Sequence, residues 1–468
     1  MNRPKTRFAF KDLISRFQIS APHQSILKNL LIVTPVSLMS RGGTLLIYAV
    51  LANWFGVNPE MDFLYYYWGI AVFLVQILSS ASAYSILIPL VAEERAKSQA
   101  DANACLRAIF SVYLVGMPTI CCVLFTICYI VSSLFLPRPD IPNIIAIGIV
   151  CGFAVFTISA SIRWLLKGVL DAYQRFSLPA IVQALAVPAV IGLTYALKPS
   201  TGLSSIVFAL IISELLQTIT LFIVCRSSLK IKGLFSFVHA QRHWRAYSKT
   251  KRFLKQFFLM MGTAISAGAN PVVDRGMSSS LGAGAVSKLD YSFRLCTIPE
   301  TVTGVIMPVL LSHWSAISAD ANIQFLRQSV WKGVLAIVGV MGPIIYGFYF
   351  FRVAIVDLLY GHGAMSEPER LHVASLLGIY LIGTLPRLIS RLLIRAHLSL
   401  QNVTFVFSAT LLRTAFNPIL NLIFMKRWGL EGIALCTTLL SFPSMVYIGI
   451  AFLIVSRRRM KNMKLDEG

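Results

Sequence analysis

Residues 203–225 read LSSIVFALIISELLQTITLFIVC, and residues 226–253 continue RSSLKIKGLFSFVHAQRHWRAYSKTKRF. The first stretch carries a single charge, Glu214. At about 1.5 Å of helical rise per residue it is long enough to cross a hydrocarbon core of about 30 Å. The second stretch holds Arg226, Lys230, Lys232, Arg242, Arg245, Lys249, Lys251 and Arg252 and no acid. A membrane span followed by an acid-free basic loop is the signature of a segment held on the cytoplasmic side.

The same pattern extends in both directions. The chain of 468 residues is 56% hydrophobic and 13% charged, with a mean hydropathy of +0.73. Soluble proteins carry about 25% charged residues. This composition excludes a soluble enzyme, a disordered tail protein and a secreted disulfide scaffold. Twelve apolar spans are predicted, at about 30–54, 62–90, 107–135, 142–170, 178–197, 203–225, 254–280, 289–313, 331–351, 371–394, 403–425 and 429–455. The expected fold class is all-α, a polytopic membrane protein with about 12 transmembrane helices in two pseudo-symmetric six-helix lobes.

Charge sets the expected topology. Lys and Arg total 42 against 19 Asp and Glu, a net charge of +23. Much of the excess sits in three short segments. These are the N-terminal tail (Arg3, Lys5, Arg7, Lys11, Arg16, Lys28), the loop after span six and the C-terminal tail (Arg457, Arg458, Arg459, Lys461, Lys464). An even number of spans puts all three on one side, so both termini are expected in the cytoplasm. Attraction to anionic headgroups is a secondary reading, and no compact basic domain is available to grip nucleic acid. The polar, basic start argues against a cleaved signal peptide. Phe10, Leu13, Ile14 and Phe17 recur at helical spacing, consistent with an interfacial helix or with a disordered tail. The expected organisation is a basic tail at 1–28, an N-lobe at 29–226, the basic loop at 227–253, a C-lobe at 254–456 and a basic tail at 457–468.

The two halves look duplicated. Phe55-Gly56 precedes Tyr65 by the spacing at which Leu281-Gly282 precedes Tyr291. Gln174 matches Gln401, and Gly202-Leu203 matches Gly429-Leu430, so the offset stays at 226–227. Even-numbered halves insert with the same orientation, giving a pseudo-twofold axis along the membrane normal, the two-lobe transporter plan. Ser40-Arg41-Gly42-Gly43 and Gly268-Ala269-Asn270-Pro271 fall at corresponding places in spans one and seven. Paired Gly/Pro interruptions point to helix breaks at a binding site, and small residues also serve close helix packing.

Charges within spans are the candidate site. A charge at mid-bilayer costs about 2.5–3.5 kcal/mol on the insertion scale, so it must face a cavity or a partner. Arg41 lies near the middle of span one and Arg294 within span eight. Arg387, Arg391 and Arg395 form a four-residue stripe in span ten, Arg413, Asn417 and Asn421 another in span eleven, and Arg163 and Lys167 lie near the inner end of span four. Arg163, Lys167 and Arg395 read as snorkelling side chains, and Arg413 with its asparagines also reads as interhelical hydrogen bonding. Arg41, Arg387 and Arg391 read as walls of a wet cationic cavity for an anionic cargo, because guanidinium forks suit phosphate oxygens. The acids are Asp62 at the start of span two, Glu214, Asp274 beside Arg275, and Glu300. Asp274 reads as half of a local pair. Glu300 reads as a coupling carboxylate for Na⁺ or H⁺, or as an arginine's partner.

No hydrolytic or ATP-binding motif is present, so the chain is not expected to be an enzyme. The eight cysteines are dispersed through apolar runs, without metal spacing, and read as packing residues. His362 and His397 fall near loops and read as surface residues.

Several segments resemble the MurJ/MviN-type lipid-linked oligosaccharide flippases of the multidrug/oligosaccharidyl-lipid/polysaccharide exporter superfamily. They are Ser40-Arg41, Phe55-Gly56 followed by Asp62, Pro89–Glu94 (PLVAEE), Tyr173–Pro179 (YQRFSLP), Tyr291–Leu295 (YSFRL) and Leu359–Ala364 (LYGHGA). The resemblance spans roughly 30–455. It implies a V-shaped pair of lobes around a cationic cavity, with functional positions at Arg41, Asp62 and Arg294, in a bacterial inner membrane. Ile47-Tyr48 stands where the family carries an Arg-Asp pair, Val75-Gln76 where it carries paired arginines, and Ser80-Ala81 where it carries Glu-Gly. Two C-terminal helices typical of MurJ are also lacking. These departures favour an undecaprenyl-pyrophosphate-linked exopolysaccharide or O-antigen repeat unit as cargo over the peptidoglycan precursor lipid II.

The expected site is thus a cationic cavity of Arg41, Arg294, Arg387, Arg391 and Arg413. Coupling or gating acids are expected at Asp62, Asp274 and Glu300, and helix breaks at Gly42, Gly43, Gly268 and Pro271. Expected partners are membrane lipids and the lipid-linked glycan, with a polymerase and glycosyltransferases nearby. A cation-coupled drug antiporter on the same scaffold is the rival reading, and it calls for an acidic cavity. A non-transporting assembly scaffold is a third, and it gives buried arginines no purpose.

Overall fold

The computed structural model describes residues 21–80, 83–135, 142–173, 175–228, 250–301, 323–400 and 404–466, with isolated positions between 302 and 322 and at 402. The predicted interfacial helix at the N-terminus and most of the basic loop lie outside the described residues, as does the side chain of Arg41.

The first half comprises α1 (Ala21–Phe55), α2 (Pro59–Val75) extended by a π-helical turn (Gln76–Ser80), α3 (Ala83–Lys97), α4 (Gln99–Phe135), α5 (Asn143–Ala172), α6 (Ser177–Thr201) and α7 (Ser204–Ser228). The second comprises α8 (Thr250–Ser278), α9 (Ala285–Cys296), α10 (Ile323–Phe350), α11 (Arg352–Tyr360), α12 (Glu367–Ser399), α13 (Thr404–Leu439) and α14 (Ser441–Asp466). Among the described residues there is no strand, as expected where no water is present to satisfy an open sheet edge. Eight described helical stretches are long and apolar enough to cross a membrane, and the last, Thr404–Met460, covers two predicted spans.

Local chemistry sets the helix ends. Asn58 caps α2 by accepting the Met61 N–H at 2.8 Å, with Pro59 in the first turn. Ser366 and Glu369 form a reciprocal capping box at α12. Glycines with positive φ turn the chain at Gly56 and Gly282, and again at Gly202 and Gly429. The last two bear out the duplication closely. Gly202 adopts φ 53, ψ −127 and Gly429 φ 55, ψ −129, a backbone state open in practice only to glycine.

Within each half the helices pack about their own centre. In the second, α12 lies against α9, α10, α11, α13 and α14. Ile144, Leu185, Leu335, Tyr346 and Leu358 are among many large apolar side chains left exposed. Such a surface suits lipid and not water.

The expected helix breaks are corrected. The α1 helix runs unbroken through Gly42 and Gly43, and α8 through Gly268 and Pro271. A Cβ on Gly43 would meet Val187 at 2.6 Å, and one on Gly268 would meet Phe73 at 2.9 Å. Here the small residues serve close helix approach.

Candidate functional site

The two halves meet at the end of the bundle where α1 finishes and α2 begins. The Asn53 amide donates to the Leu359 carbonyl at 2.9 Å, and its Oδ1 accepts the His362 N–H at 3.0 Å. Its own carbonyl accepts the Ala364 N–H at 2.8 Å. Gly363 lies directly against the Asn53 backbone, leaving no room for a Cβ. The Tyr291 hydroxyl donates to the Gly56 carbonyl at 3.1 Å. Asp62 accepts both the N–H and the hydroxyl of Ser287, at 2.7 and 2.6 Å. A carboxylate from the first half thereby caps the first turn of α9 in the second, where the helix dipole favours negative charge.

Beneath this seam lies an aromatic and ionic cluster. Tyr48 stacks on Tyr65 at 5.6 Å and on Trp68 at 5.2 Å. The Arg294 guanidinium sits over Tyr48, 4.4 Å from the ring centre, a cation–π contact across the two halves. On its other side Arg294 reaches Asp290 at 3.5 Å, and Arg275 pairs with the same carboxylate. Two arginines therefore share one buried acid.

The C-lobe encloses a cavity of about 360 Å³ whose lining includes Asp274, Arg275, Asp290, Arg387, Arg391 and Arg413. Helical periodicity assembles it. Asn270 and Asp274 are four apart on α8, Arg387 and Arg391 four apart on α12, and Arg413, Asn417 and Asn421 lie in one stripe on α13. Glu300 bridges two of these arginines, accepting Arg387 Nε at 2.8 Å and meeting Arg391 at 2.7 Å. Arg387 also donates to Thr384 Oγ1 at 2.8 Å and is nearly enclosed, whereas the Arg391 side chain is 53% exposed. Arg413 has a buried Nε with no hydrogen-bond partner, and among the described residues no carboxylate lies within ion-pairing distance of it.

Asp274 is not paired with Arg275. It accepts Asn417 Nδ2 at 3.1 Å, Asn421 Nδ2 at 2.7 Å and Thr437 Oγ1 at 3.0 Å. The α13 asparagines thus serve as interhelical hydrogen bonds, as one sequence reading allowed.

Other expectations shift as well. Arg387 and Arg391 are not uncompensated, since they share Glu300. Arg163 and Lys167 do not simply snorkel: Arg163 pairs with Glu214, and Lys167 with Asp171 at 2.6 Å. His397 is fully buried, with Nε2 3.1 Å from the Ile448 carbonyl. Asp290 and Asn53 were missed. Asp290 had a signal, lying one helical turn before Arg294. The partners of Asn53 are some 306–311 residues away in sequence and gave none.

Two lobes of transmembrane helices, meeting at a polar seam and enclosing an arginine-lined cavity, define the class: a two-lobe membrane carrier. Comparison with known proteins narrows it. The family model described as "Lipid II flippase MurJ" matches residues 51–465, and the chain belongs to the MurJ family of flippases, which are carriers and not enzymes.

The lipid II flippase MurJ of Burkholderia cenocepacia is 23% identical over 428 residues, covering 88% of this chain and 80% of the relative. A probable lipid II flippase MurJ of Thermotoga maritima is 29% identical over 210 residues, 43% of each chain. Among solved structures, "Lipid II flippase MurJ, inward closed conformation" superposes with a TM-score of 0.76 at 21% identity, covering 92% of this chain and 91% of that one. The inward-facing conformation of a multidrug resistance MATE family transporter of the MOP superfamily gives 0.72 at 12% identity, over 92% and 99% of the two chains. At these identities the structural likeness bears on the fold alone.

Proposed function

We propose that this chain moves a polyprenyl-pyrophosphate-linked saccharide of the lipid II type across the bacterial inner membrane by alternating access, with both termini in the cytoplasm. The observation that carries the reading is the arginine excess. Arg275 and Arg294 share Asp290, and Arg413 adds an unpaired guanidinium to a wall already holding Arg387 and Arg391. Uncompensated guanidinium groups at membrane depth are costly unless an anion joins them. Pyrophosphate matches their fork geometry. The pyrophosphate would sit at Arg294 beside the seam, while the prenyl chain stays in lipid. The curated relatives described above are named lipid II flippases, which favours that cargo over the repeat-unit cargo preferred from sequence.

One observation keeps the exopolysaccharide or O-antigen reading in play as a second proposal. Arg294 meets the Tyr48 ring where the family pattern carries a charged pair. A polymerase and glycosyltransferases would be the partners in that case. The cationic wall disfavours the drug-antiporter reading, since a cationic cargo would be repelled.

For coupling, Glu300 is engaged by two arginines, which leaves Asp274 as the better candidate. Its carboxylate is ringed by two carboxamides and a hydroxyl. Turning the two amides about would surround a Na⁺ with oxygen ligands, the donor type a hard cation requires. A proton on Asp274 is the other form of the same proposal.

Expression in a bacterium depleted of its resident lipid II flippase tests the reading. Restored growth is expected, with Arg294→Gln abolishing rescue at unchanged protein level. Failure to rescue, combined with restored surface glycan in a repeat-unit flippase deletion, would move the assignment to the second cargo.

A further inference from the structure

The arginine excess is divided between two points, the seam and the C-lobe cavity. At the seam, Arg275 and Arg294 share Asp290. Deeper in the C-lobe, Arg387, Arg391 and Arg413 are set against Glu300 and Asp274. Each point carries one guanidinium more than its carboxylates neutralise. The second point is not a duplicate of the first. It draws on α12 and α13, whereas the first draws on α8 and α9 and on the Tyr48 ring of the N-lobe. One pyrophosphate held beside Tyr48 leaves the charge at Arg413 unanswered.

Arg413 is fitted to receive a ligand. Its Nε is buried without a partner, and Arg387 Nη1 is likewise buried and unpartnered. The nearest acids do not satisfy Arg413. Glu300 Oε1 accepts Arg387 and Oε2 meets Arg391, while both oxygens of Asp274 are taken by Asn417, Asn421 and Thr437. Unmade hydrogen bonds on buried guanidinium groups are costly, and the remedy available in a cavity of about 360 Å³ is an anion large enough to reach them.

We infer that the C-lobe cavity is a second anion subsite, centred on Arg413 with Arg391 and Arg387. It takes an ionised carboxylate carried by the saccharide or peptide part of the headgroup, so the chain selects acidic headgroups over neutral ones. The inference rests on the flippase reading and adds to it the class of headgroup. A carboxylate presents two oxygens to a guanidinium fork. Arg391, the exposed member of the group, lies where an entering group meets it first.

The test uses the full chain in lipid nanodiscs with two synthetic polyprenyl-pyrophosphate disaccharides, one neutral and one bearing a carboxylate. Binding is measured for the wild type, Arg413→Gln, Arg413→Lys and Arg294→Gln, with melting temperatures checking that each variant is folded. The wild type should prefer the acidic cargo by about tenfold, the scale of one charge-assisted contact. Arg413→Gln should erase the preference, its loss of affinity falling mainly on the acidic cargo. Arg413→Lys should restore part of it, and Arg294→Gln should weaken both cargoes alike. Equal weakening of both by Arg413→Gln would overturn the inference, since Arg413 would then grip the pyrophosphate. Equal wild-type affinity for the two would overturn it as well. A wild type that binds neither cargo would instead sink the flippase reading.

Discussion

The two halves of the chain share a backbone plan and differ in how they settle their charges. In the N-lobe the described pairs are one to one: Arg163 has Glu214, and Lys167 has Asp171, while Arg107, away from them, keeps a buried Nε without a partner. In the C-lobe, Asp290 and Glu300 each serve two arginines, and Arg413 has none. Duplication supplied the same helices twice, as the near-identical backbone of Gly202 and Gly429 records. Divergence then gave one copy one-to-one ion pairs beside an aromatic wall, and gathered several arginines on one cavity in the other. Charge that is paired one to one holds helices together, and charge left in excess is available to a ligand.

The largest effect should come from removing the acid shared at the seam. Asp290→Asn leaves Arg275 and Arg294 buried without a counter-charge. Breaking such a pair costs about 3–5 kcal/mol. A marked drop in detergent-resistant folding is expected, with loss of transport. An unchanged melting profile would mean that the seam is wet enough to need no acid.

Next, Glu300→Gln and Glu214→Gln set the two lobes against each other. Each breaks an internal ion pair, so both should be destabilising by a comparable few kcal/mol, about 3 in each case. Only Glu300→Gln frees two arginines on the cavity wall, so only it should tighten binding of an acidic headgroup. Tighter binding by the Glu214 variant would dissolve the contrast between the lobes.

The smallest effect concerns the latch. Asp62→Ala removes a carboxylate that caps α9 across the seam. Losing a cap costs about 1 kcal/mol, roughly a fivefold change in population. The lobes-apart state at that end should become correspondingly more populated, read as faster thiol labelling of a cysteine placed at Ser287. No change in labelling would mean that the other contacts across the seam, those of Asn53 with residues 359–364 and of Tyr291 with Gly56, hold it without Asp62.

Much of this was legible in the sequence because it is periodic. Twenty-residue apolar blocks gave the spans, and a constant offset between glycines gave the repeat. Four-residue spacing put Arg387 with Arg391, and Arg413 with Asn417 and Asn421, on common faces. The pairings were not legible, because they are settled between elements. Glu300 meets Arg387 across 87 residues, and Asp274 meets Asn421 across 147. Adjacency misled at Asp274-Arg275, since consecutive helical residues point about 100° apart and find different neighbours. The Gly and Pro positions misled in the same way. Apolar surroundings force the backbone to keep its own hydrogen bonds, so α1 and α8 stay helical there, and the missing side chains admit Val187 and Phe73.

The central claim, that the excess arginines line a wet cavity open to anions, is tested most directly by the charge preference of a thiol placed within it. Ser444 lines the cavity. With the eight native cysteines replaced, Ser444→Cys in permeabilised vesicles is treated with an anionic and with a cationic methanethiosulfonate of similar size. The anionic reagent should react at least about tenfold faster, as expected for a field focused in a cationic cleft, and Arg413→Gln should narrow the gap. An unreactive thiol, or one that reacts faster with the cationic reagent, would contradict the account.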